Sequence, residues 1–582
     1  MKDGLEYFLM NPFFLVFFPD NISWEAIDMS RTKNHHPLMD NPRKGIMEET
    51  KSQEGGFDMS IYLNPDNIGM QMDVSSPNFV DKSMLIQFTN ARLNTSSRFL
   101  CVTRPRRFGK TVAVNMLSSY YSMGCKSGQL FHGLRIEKDP SFEKHLNKHY
   151  VIVLDIAGII MSLRFEKDPI RVYEKSMVAA LKEDFEMKSS AMTLSQLFKE
   201  IYARKGIRFI ILIDEWDAVF RDRKDNKRIC DSYMEFLRSL FKDINVSQSF
   251  ELVYMTGIFP ITRYNTESTL NMFDEYTVLD DSPLTEFFGF TQQEVDVLCE
   301  KNDIDKEQMR KWYDGYHYGG MSLYSPYSVI KAIIRRSFKD YWTATTSVES
   351  VMEYMNYDGG ILKESIVRMM SGDRVKFNPD RFKNDLSTID SQDAALTILV
   401  HLGYLGYDPD RHECYIPDRE IRQEFELAIE ELKDWNDVNG PLEVSSELVE
   451  RTFREDTSFI NETFDEFHRL YADTFTKNLE AVLSMMTRLL YYKLGDDYER
   501  MDEVVNIKGR ADIVYRPRKN DRPALIIELK ADDTSENAIR QIEEMDYVSS
   551  LKPFAGKAYL LGISYDRKTL KHQSLIKIVD VG

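Results

Sequence analysis

Four short apolar runs, each closing on a polar residue, most constrain how this chain can fold. They are Phe99–Thr103 (FLCVT), Tyr150–Asp155 (YVIVLD), Phe209–Asp214 (FIILID) and Leu252–Thr256 (LVYMT). Unbroken apolar runs of this length suit strands buried on both faces, because an alternating pattern is needed only where one face meets water. Stretches with helical spacing separate them, for example Val112–Tyr121 and Val172–Phe185. Strands alternating with helices predict an α/β fold on a parallel, doubly covered sheet. A fifth strand is expected over Tyr276–Leu279.

The rest of the chain needs further units, since 582 residues exceed what one hydrophobic core organises. The expected divisions are a flexible extension over 1–57, the parallel-sheet domain over 58–284, a mostly helical middle domain over 285–446 and a second α/β domain over 447–582. The segment "DWNDVNGPLEVSS" (434–446) reads as a linker, because it gathers Asp, Asn, Gly and Pro.

Composition narrows the function classes. The net charge of −18 excludes a whole-chain basic footprint for nucleic acid, so any such contact must use local patches. Cys101, Cys125, Cys230, Cys299 and Cys414 have neither zinc-ligand nor disulfide spacing, and a reducing cytoplasm is the expected setting. No apolar run reaches the roughly 18 residues that span a membrane, and no membrane partner is expected. The run "FLMNPFFLVFF" (8–18) imitates a signal peptide, but Asp3 and Glu6 offset Lys2 and no clean small-residue cleavage site follows.

The first chemical motif is "FLCVTRPRRFGKT" (99–111), a buried strand leading into Gly-Lys-Thr and then a helix. A phosphate-binding loop needs this order: Gly109 permits close backbone approach, Lys110 reaches the β- and γ-phosphates, and Thr111 holds Mg²⁺ at the helix start. Arg104 stands where the eight-residue pattern has its first glycine. Arg107 joins the candidate phosphate contacts, while a solvated basic turn is the competing reading.

The second motif is "FIILIDEWD" (209–217). An Asp-Glu pair at a strand end can hold Mg²⁺ through Asp214 and polarise the attacking water through Glu215. Thr256, closing the next strand, can sense the γ-phosphate if that strand lies between the other two. Doubly wound sheets place ligands at such carboxyl ends.

The third motif is the closing hairpin, "RADIVY" (510–515) and "ALIIELK" (524–530). Side chains alternate along a strand, so Glu528 and Lys530 share a face, as do Arg510, Asp512 and Val514. If the register agrees, Asp512 meets Glu528 and Lys530. Adjacent carboxylates repel, and a hard cation, Mg²⁺ or Mn²⁺, relieves that repulsion while neutralising a phosphodiester. Glu-x-Lys also occurs at Glu49, Glu186 and Glu431, so context and not the tripeptide carries this signal. A salt bridge at a sheet edge is the alternative. Lys508, Arg510, Arg516, Arg518, Lys519 and Arg522 form the best local candidate for a phosphate-backbone patch.

The segments "RPRRFGKT", "LIDEWDAVF", "MTGIFPITRYNTESTLNMFDEY", "WYDGYHYGG" and "LYSPYSV" resemble a mostly bacterial family. Its members join an AAA-ATPase-like P-loop domain to a C-terminal PD-(D/E)XK nuclease domain. Arg104 matches that family's own loop pattern. "GRADIVYRP…PALIIELKA" is similar to the nuclease core, with Asp512, Glu528 and Lys530 at matching positions. Gln541 and Tyr547 match a further motif, in which the Gln holds water or phosphate, and Glu480 aligns with the first acidic position. The resemblance implies ATP and Mg²⁺ (or Mn²⁺) as cofactors and an ATP-binding, ATP-hydrolysing protein coupled to a phosphodiester-cleaving restriction-endonuclease-like domain. It also implies nucleic acid, DNA in the first instance, as partner, and admits a homo-oligomer. The alternative is a nucleotide-switched binding module with an inactive nuclease fold. His35, His36 and His317 read as non-ligands, Arg263 as a salt-bridge former rather than an arginine finger, and Trp312, Tyr313 and Tyr316 as helix-spaced core.

Overall fold

The apolar runs become the strands β1 Phe99–Thr103, β2 Tyr150–Asp155, β3 Phe209–Asp214 and β4 Phe250–Gly257, joined by β5 Asp274–Tyr276. The structure is a computed structural model that describes residues 61–582, apart from 262–269, 281–282, 343–348, 356–361, 383–388, 390, 472–478, 507–508, 520, 546 and 582. The five strands form one sheet in the order β2-β3-β4-β1-β5, and every pairing is parallel. Both faces are covered. Phe99 and Cys101 enter one core, while Leu100 and Val102 enter the other. The fifth strand ends at Tyr276 instead of beginning there.

The middle of the chain is less purely helical than its aromatic spacing predicts. β6 Phe290–Thr291, β7 Tyr316–Tyr318 and β8 Met321–Tyr324 form an antiparallel sheet in the order β6-β8-β7. β9 Val375–Lys376, β10 Gly406–Asp408 and β11 Glu413–Tyr415 form another, β10-β11-β9. Tyr313 closes a helix, but Tyr316 lies on β7, and both are buried core residues.

The expected linker is not one. Asn436–Phe453 is a helix with Pro441 inside it. Trp435, Val438 and Leu442 are buried at helical spacing, and the Phe467 ring presses on Gly440, so packing outweighs the Gly-Pro signal. The boundary at 446 falls inside this helix.

The C-terminal sheet comprises β12 Tyr498–Asn506, β13 Gly509–Pro517, β14 Ala524–Ala531, β15 Lys557–Asp566 and β16 Lys571–Asp580, in that spatial order. Only β14 and β15 run parallel, joined through the helix Ser535–Glu544. That helix buries Ala538, Ile539 and Ile542 against Val514, Ile526 and Leu560 on one face. The other face sends Ile513, Leu525, Ile527 and Leu561 into a core shared with the middle region. Phe108, from the Gly-Lys-Thr loop, belongs to that same core. The described residues all fall in one compact unit, Met59–Gly582.

Candidate functional site

Gly109 caps the helix Lys110–Tyr121 with φ of +86°, and nothing lies within 4 Å of where its Cβ would stand. The left-handed turn needs a glycine, and the open space beside it leaves room for a phosphate. The Lys110 ammonium is buried and donates to the carbonyls of Arg104 (2.9 Å) and Pro105 (2.7 Å). Burial lowers its pKa to about 8, against the raising influence of Asp217, Asp214 and Glu215. A desolvated ammonium held only by carbonyls of its own loop is suited to an anion, and the nearby carboxylates favour its charged form. Thr111 follows it, exposed at the helix start.

Arg104 explains its own departure from the loop pattern. Its guanidinium donates to Thr103 O (2.8 Å) and Tyr276 O (3.1 Å), on the β5 side of β1 and so on the side away from Asp214. Arg107 is not gathered with the other candidates. It donates to the carbonyls of Tyr341 (3.3 Å) and Trp342 (2.7 Å) and packs over the Trp342 and Tyr327 rings. It therefore ties the loop to the middle region.

β4 does lie between β1 and β3, as the Thr256 reading requires. Thr256 pairs with Val102 on one side, and Met255 with Ile213 on the other. The Thr256 hydroxyl donates to Asp214 Oδ1 at 2.7 Å, and the Glu215 amide donates to the same oxygen at 3.0 Å. Glu215 sits at φ of +50°, a conformation a non-glycine residue adopts at a cost of about 1 kcal/mol. The chain turns there so that Trp216 N can donate to Thr256 O (2.9 Å).

Two residues in this turn were not marked by sequence reasoning. Asp217 is buried and accepts the amides of Ile258 (3.1 Å) and Phe259 (3.0 Å), which fixes the exit of β4. Arg221 donates to Glu215 Oε2 at 2.7 Å and places Nε 3.3 Å from Asp217 Oδ2. The only signal for either was the spacing Glu215, Asp217, Arg221 across the turn that leads into the short helix Ala218–Asp222.

In the C-terminal sheet, the ladder between β13 and β14 runs Ile513↔Ile527, Val514↔Ile526, Tyr515↔Leu525. One step further this register sets Asp512 across from Glu528. There the Asp512 side chain takes over, accepting Leu529 N at 2.8 Å. Lys530 Nζ donates to Glu528 Oε1 (2.9 Å) and to Gln541 Oε1 (2.6 Å), the latter from the helix that covers this face. Glu528 is 1% exposed, and its Oε2 has no partner of ordinary hydrogen-bond geometry. Burial, and then the Asp512 charge, push its carboxyl up to about 7 against the pull of Lys530. Tyr547 is close enough for burial, Glu528 and Asp512 to raise its phenol to about 12. Asp512, Glu528, Lys530, Gln541 and Tyr547 thus converge on one face.

The remaining candidates fall elsewhere. Glu480 lies on the helix Leu479–Leu490, and its side chain is outside the described residues, as are Arg263, His35, His36, Lys508 and the Arg510 side chain. His317 is exposed on β7. Among the described residues, no group of three or more His, Cys, Asp or Glu is arranged to hold a metal. Two of the six residues of the expected basic patch are paired with acids: Arg516 with Glu499, and Arg522 with Asp497 at 3.0 Å, while Arg518 and Lys519 are exposed. No described helix is long and apolar enough to cross a membrane.

A parallel sheet with a glycine-capped lysine loop on one strand and a carboxylate pair two strands away defines an AAA-ATPase-like nucleotide-binding domain. Residues 71–266 match the model of the AAA-ATPase-like family, described as a predicted AAA-ATPase. An uncharacterised protein from the vnfD 5′ region of Azotobacter chroococcum mcd 1 is 25% identical over 248 residues, 42% of this chain and 46% of that relative. The match thus spans about half the length of the curated relative. Among solved structures, the Aeropyrum pernix ORC2 protein in ADPNP–ADP complexes overlaps with a TM-score of 0.30 at 9% identity, over 61% of this chain and 96% of that one. Drosophila ORC bound to GC-rich DNA and Cdc6 gives 0.19 at 12% identity, over 62% of this chain and 92% of that one. C. elegans PCH-2 gives 0.18 at 11%, over 58% of this chain and 66% of that one. At such scores these overlaps carry no argument.

Proposed function

We propose that this chain binds and hydrolyses ATP at the Gly109–Thr111 loop and that its C-terminal sheet is a PD-(D/E)XK-like, metal-dependent site that cleaves nucleic acid, DNA in the first instance. On this reading the ATP site lies within 58–284 and the metal site within 447–582, with the helix Asn436–Phe453 running across the division from 285–446. The observation that carries the nuclease half is the convergence of Asp512, Glu528, Lys530 and Gln541 on one sheet face, with the Glu528 carboxylate buried among them.

The residues present fit a hard divalent cation. Two carboxylates share the site, and burial first, then the neighbouring Asp512 charge, raise the carboxyl of Glu528. Asp512 and Glu528 would hold Mg²⁺ or Mn²⁺, which when bound supplies a more acidic water and charge neutralisation. Lys530 orients Glu528 and presents a cation to the scissile phosphate, and Gln541 fixes Lys530. In the ATP site, Lys110 exchanges its two loop carbonyls for phosphate oxygens, Thr111 and Asp214 would hold Mg²⁺, and Glu215 orients the attacking water. Thr256 holds Asp214 in place.

The test measures Mn²⁺-dependent cleavage of DNA and RNA by the full chain, with and without ATP, in wild type and in Glu528→Gln, Lys530→Ala and Lys110→Ala. Cleavage lost by at least about a hundredfold in the first two variants is expected. Equal cleavage in all four proteins would remove the nuclease reading. Lys110→Ala should abolish the stabilisation that ATP confers on thermal unfolding.

A second reading is favoured by the pairing of Arg516 with Glu499 and Arg522 with Asp497, which engages two of the cations expected to meet a phosphate backbone. It is a nucleotide-switched binding module whose C-terminal fold does not cut. Nucleic-acid or protein binding that responds to ATP, without Mn²⁺-dependent cleavage, would establish it.

A further inference from the structure

Arg221 stands between the water-orienting carboxylate and a cavity, and no motif marks it. Its side chain is 10% exposed, and Nη2 donates to Glu215 Oε2 at 2.7 Å. Nε lies 3.3 Å from Asp217 Oδ2, on the residue that anchors the exit of β4. Burial works against the charge of this guanidinium, but Asp217 and Glu215 more than offset that and raise its pKa.

The same guanidinium lines a cavity of about 220 Å³. Arg106, from the phosphate loop, lines it too, and Phe259, Trp342 and Tyr404 wall it. Lys224 and Glu353, which also line it, are paired with each other. The cavity is therefore lined by one arginine from the phosphate loop and one from the helix that follows the Glu215 turn, and Arg221 is close enough to Lys110 for its charge to be felt there. Asp222 is the remaining acid on its wall.

A carboxylate bound by a guanidinium is a poor base, because the ion pair stabilises its ionised form and occupies its oxygen. An anion entering the cavity competes with Glu215 for Arg221. We propose that Arg221 is an intrachain positioning residue that ties Glu215 back while the cavity holds no anion. It transfers to the terminal phosphate of a bound nucleoside triphosphate and so frees Glu215 to orient water. This rests on the ATP reading above and adds to it the residue that makes Glu215 respond to a triphosphate and not to a diphosphate.

The test is a double-mutant cycle read by binding. Affinities of the full chain for AMP-PNP and for ADP, both with Mg²⁺, are measured by titration calorimetry. The proteins are wild type, Glu215→Gln, Arg221→Ala and the double variant. Glu215→Gln weakens the competing ion pair and should tighten AMP-PNP about fivefold while leaving ADP unchanged. Arg221→Ala should weaken AMP-PNP about tenfold and leave ADP within about twofold. In the double variant the gain from Glu215→Gln should vanish. A gain that persists there would mean that Glu215 merely repels the phosphate, and would overturn the proposal. So would equal losses of AMP-PNP and ADP affinity in Arg221→Ala, which mark a structural role. Glu215→Gln keeps a hydrogen-bond acceptor for Arg221, so the cycle retains a folded arm even if Arg221→Ala is unstable. If wild type binds neither nucleotide, the ATP reading fails and takes this proposal with it. If wild type binds both without coupling, this proposal alone fails.

Discussion

Thr256 and Asp214 end neighbouring parallel strands and meet there, hydroxyl to carboxylate, at 2.7 Å. That bond ties the Asp-Glu turn after β3 to the end of β4, the strand that pairs with β1. Thr256→Val keeps the shape and removes the donor, leaving a buried carboxylate one hydrogen bond short. We expect it to destabilise the protein by about 1–3 kcal/mol in urea unfolding and to weaken ATP binding, with Thr256→Ser restoring both. Unchanged unfolding and binding in Thr256→Val would show that the bond does neither job.

Gly257 follows Thr256, and a Cβ there would lie 2.5 Å from Trp216 Cδ1 and 2.7 Å from Asp217 Oδ1. The Asp-Glu-Trp-Asp turn packs directly on the end of β4, so Gly257→Ala must push it aside. The expected cost is about 1–3 kcal/mol, with loss of ATP binding, measured by urea midpoint and calorimetry.

Asp512 has two tasks that two substitutions separate. Its Oδ2 accepts Leu529 N at 2.8 Å, and its charge raises Glu528. Asp512→Asn keeps an acceptor for the amide, so stability should hold while Mn²⁺ binding is lost. Asp512→Ala loses both and should unfold about 1 kcal/mol more easily than Asp512→Asn. Mn²⁺ affinity by calorimetry and urea midpoints read the two tasks independently.

Glu528 makes stability depend on pH in a stated direction. Its carboxyl titrates at about 7 in the fold, against 4.5 ordinarily. The unfolded chain therefore releases this proton first. The contribution is fully present below about pH 4.5 and is lost as pH rises through about 7. Unfolding midpoints at pH 5 and pH 8 should show this loss in wild type and a smaller one in Glu528→Gln. Mn²⁺ should offset it at pH 8, because the cation binds the ionised form.

Much of the arrangement around the Gly-Lys-Thr loop and the Asp-Glu turn was legible from local sequence. The run Phe209–Asp214, followed by Glu215, places two acids at a strand end wherever that strand lies, and Gly109-Lys110-Thr111 opens a helix after a buried strand. Arg104 looked like a defect in the loop, yet its side chain is used at the carbonyl ends of β1 and β5. Arg107, read as a phosphate contact, donates to the carbonyls of Tyr341 and Trp342 in the middle region. Asp217 and Arg221 escaped notice because an acid and a base four residues apart on a helix are common anywhere.

By itself, the sequence determined which segments become strands and which side chains share a face, because burial pattern and strand period are local properties. It could not determine strand order, and so could not place Thr256 beside Asp214. Nor could it determine register: a slip of one residue would have turned Asp512 away from Glu528. Only tertiary packing decided that 436–453 is helix and not linker, and that Arg221 reaches Glu215. These depend on atoms distant in the chain, whose mutual burial offsets what local propensity disfavours.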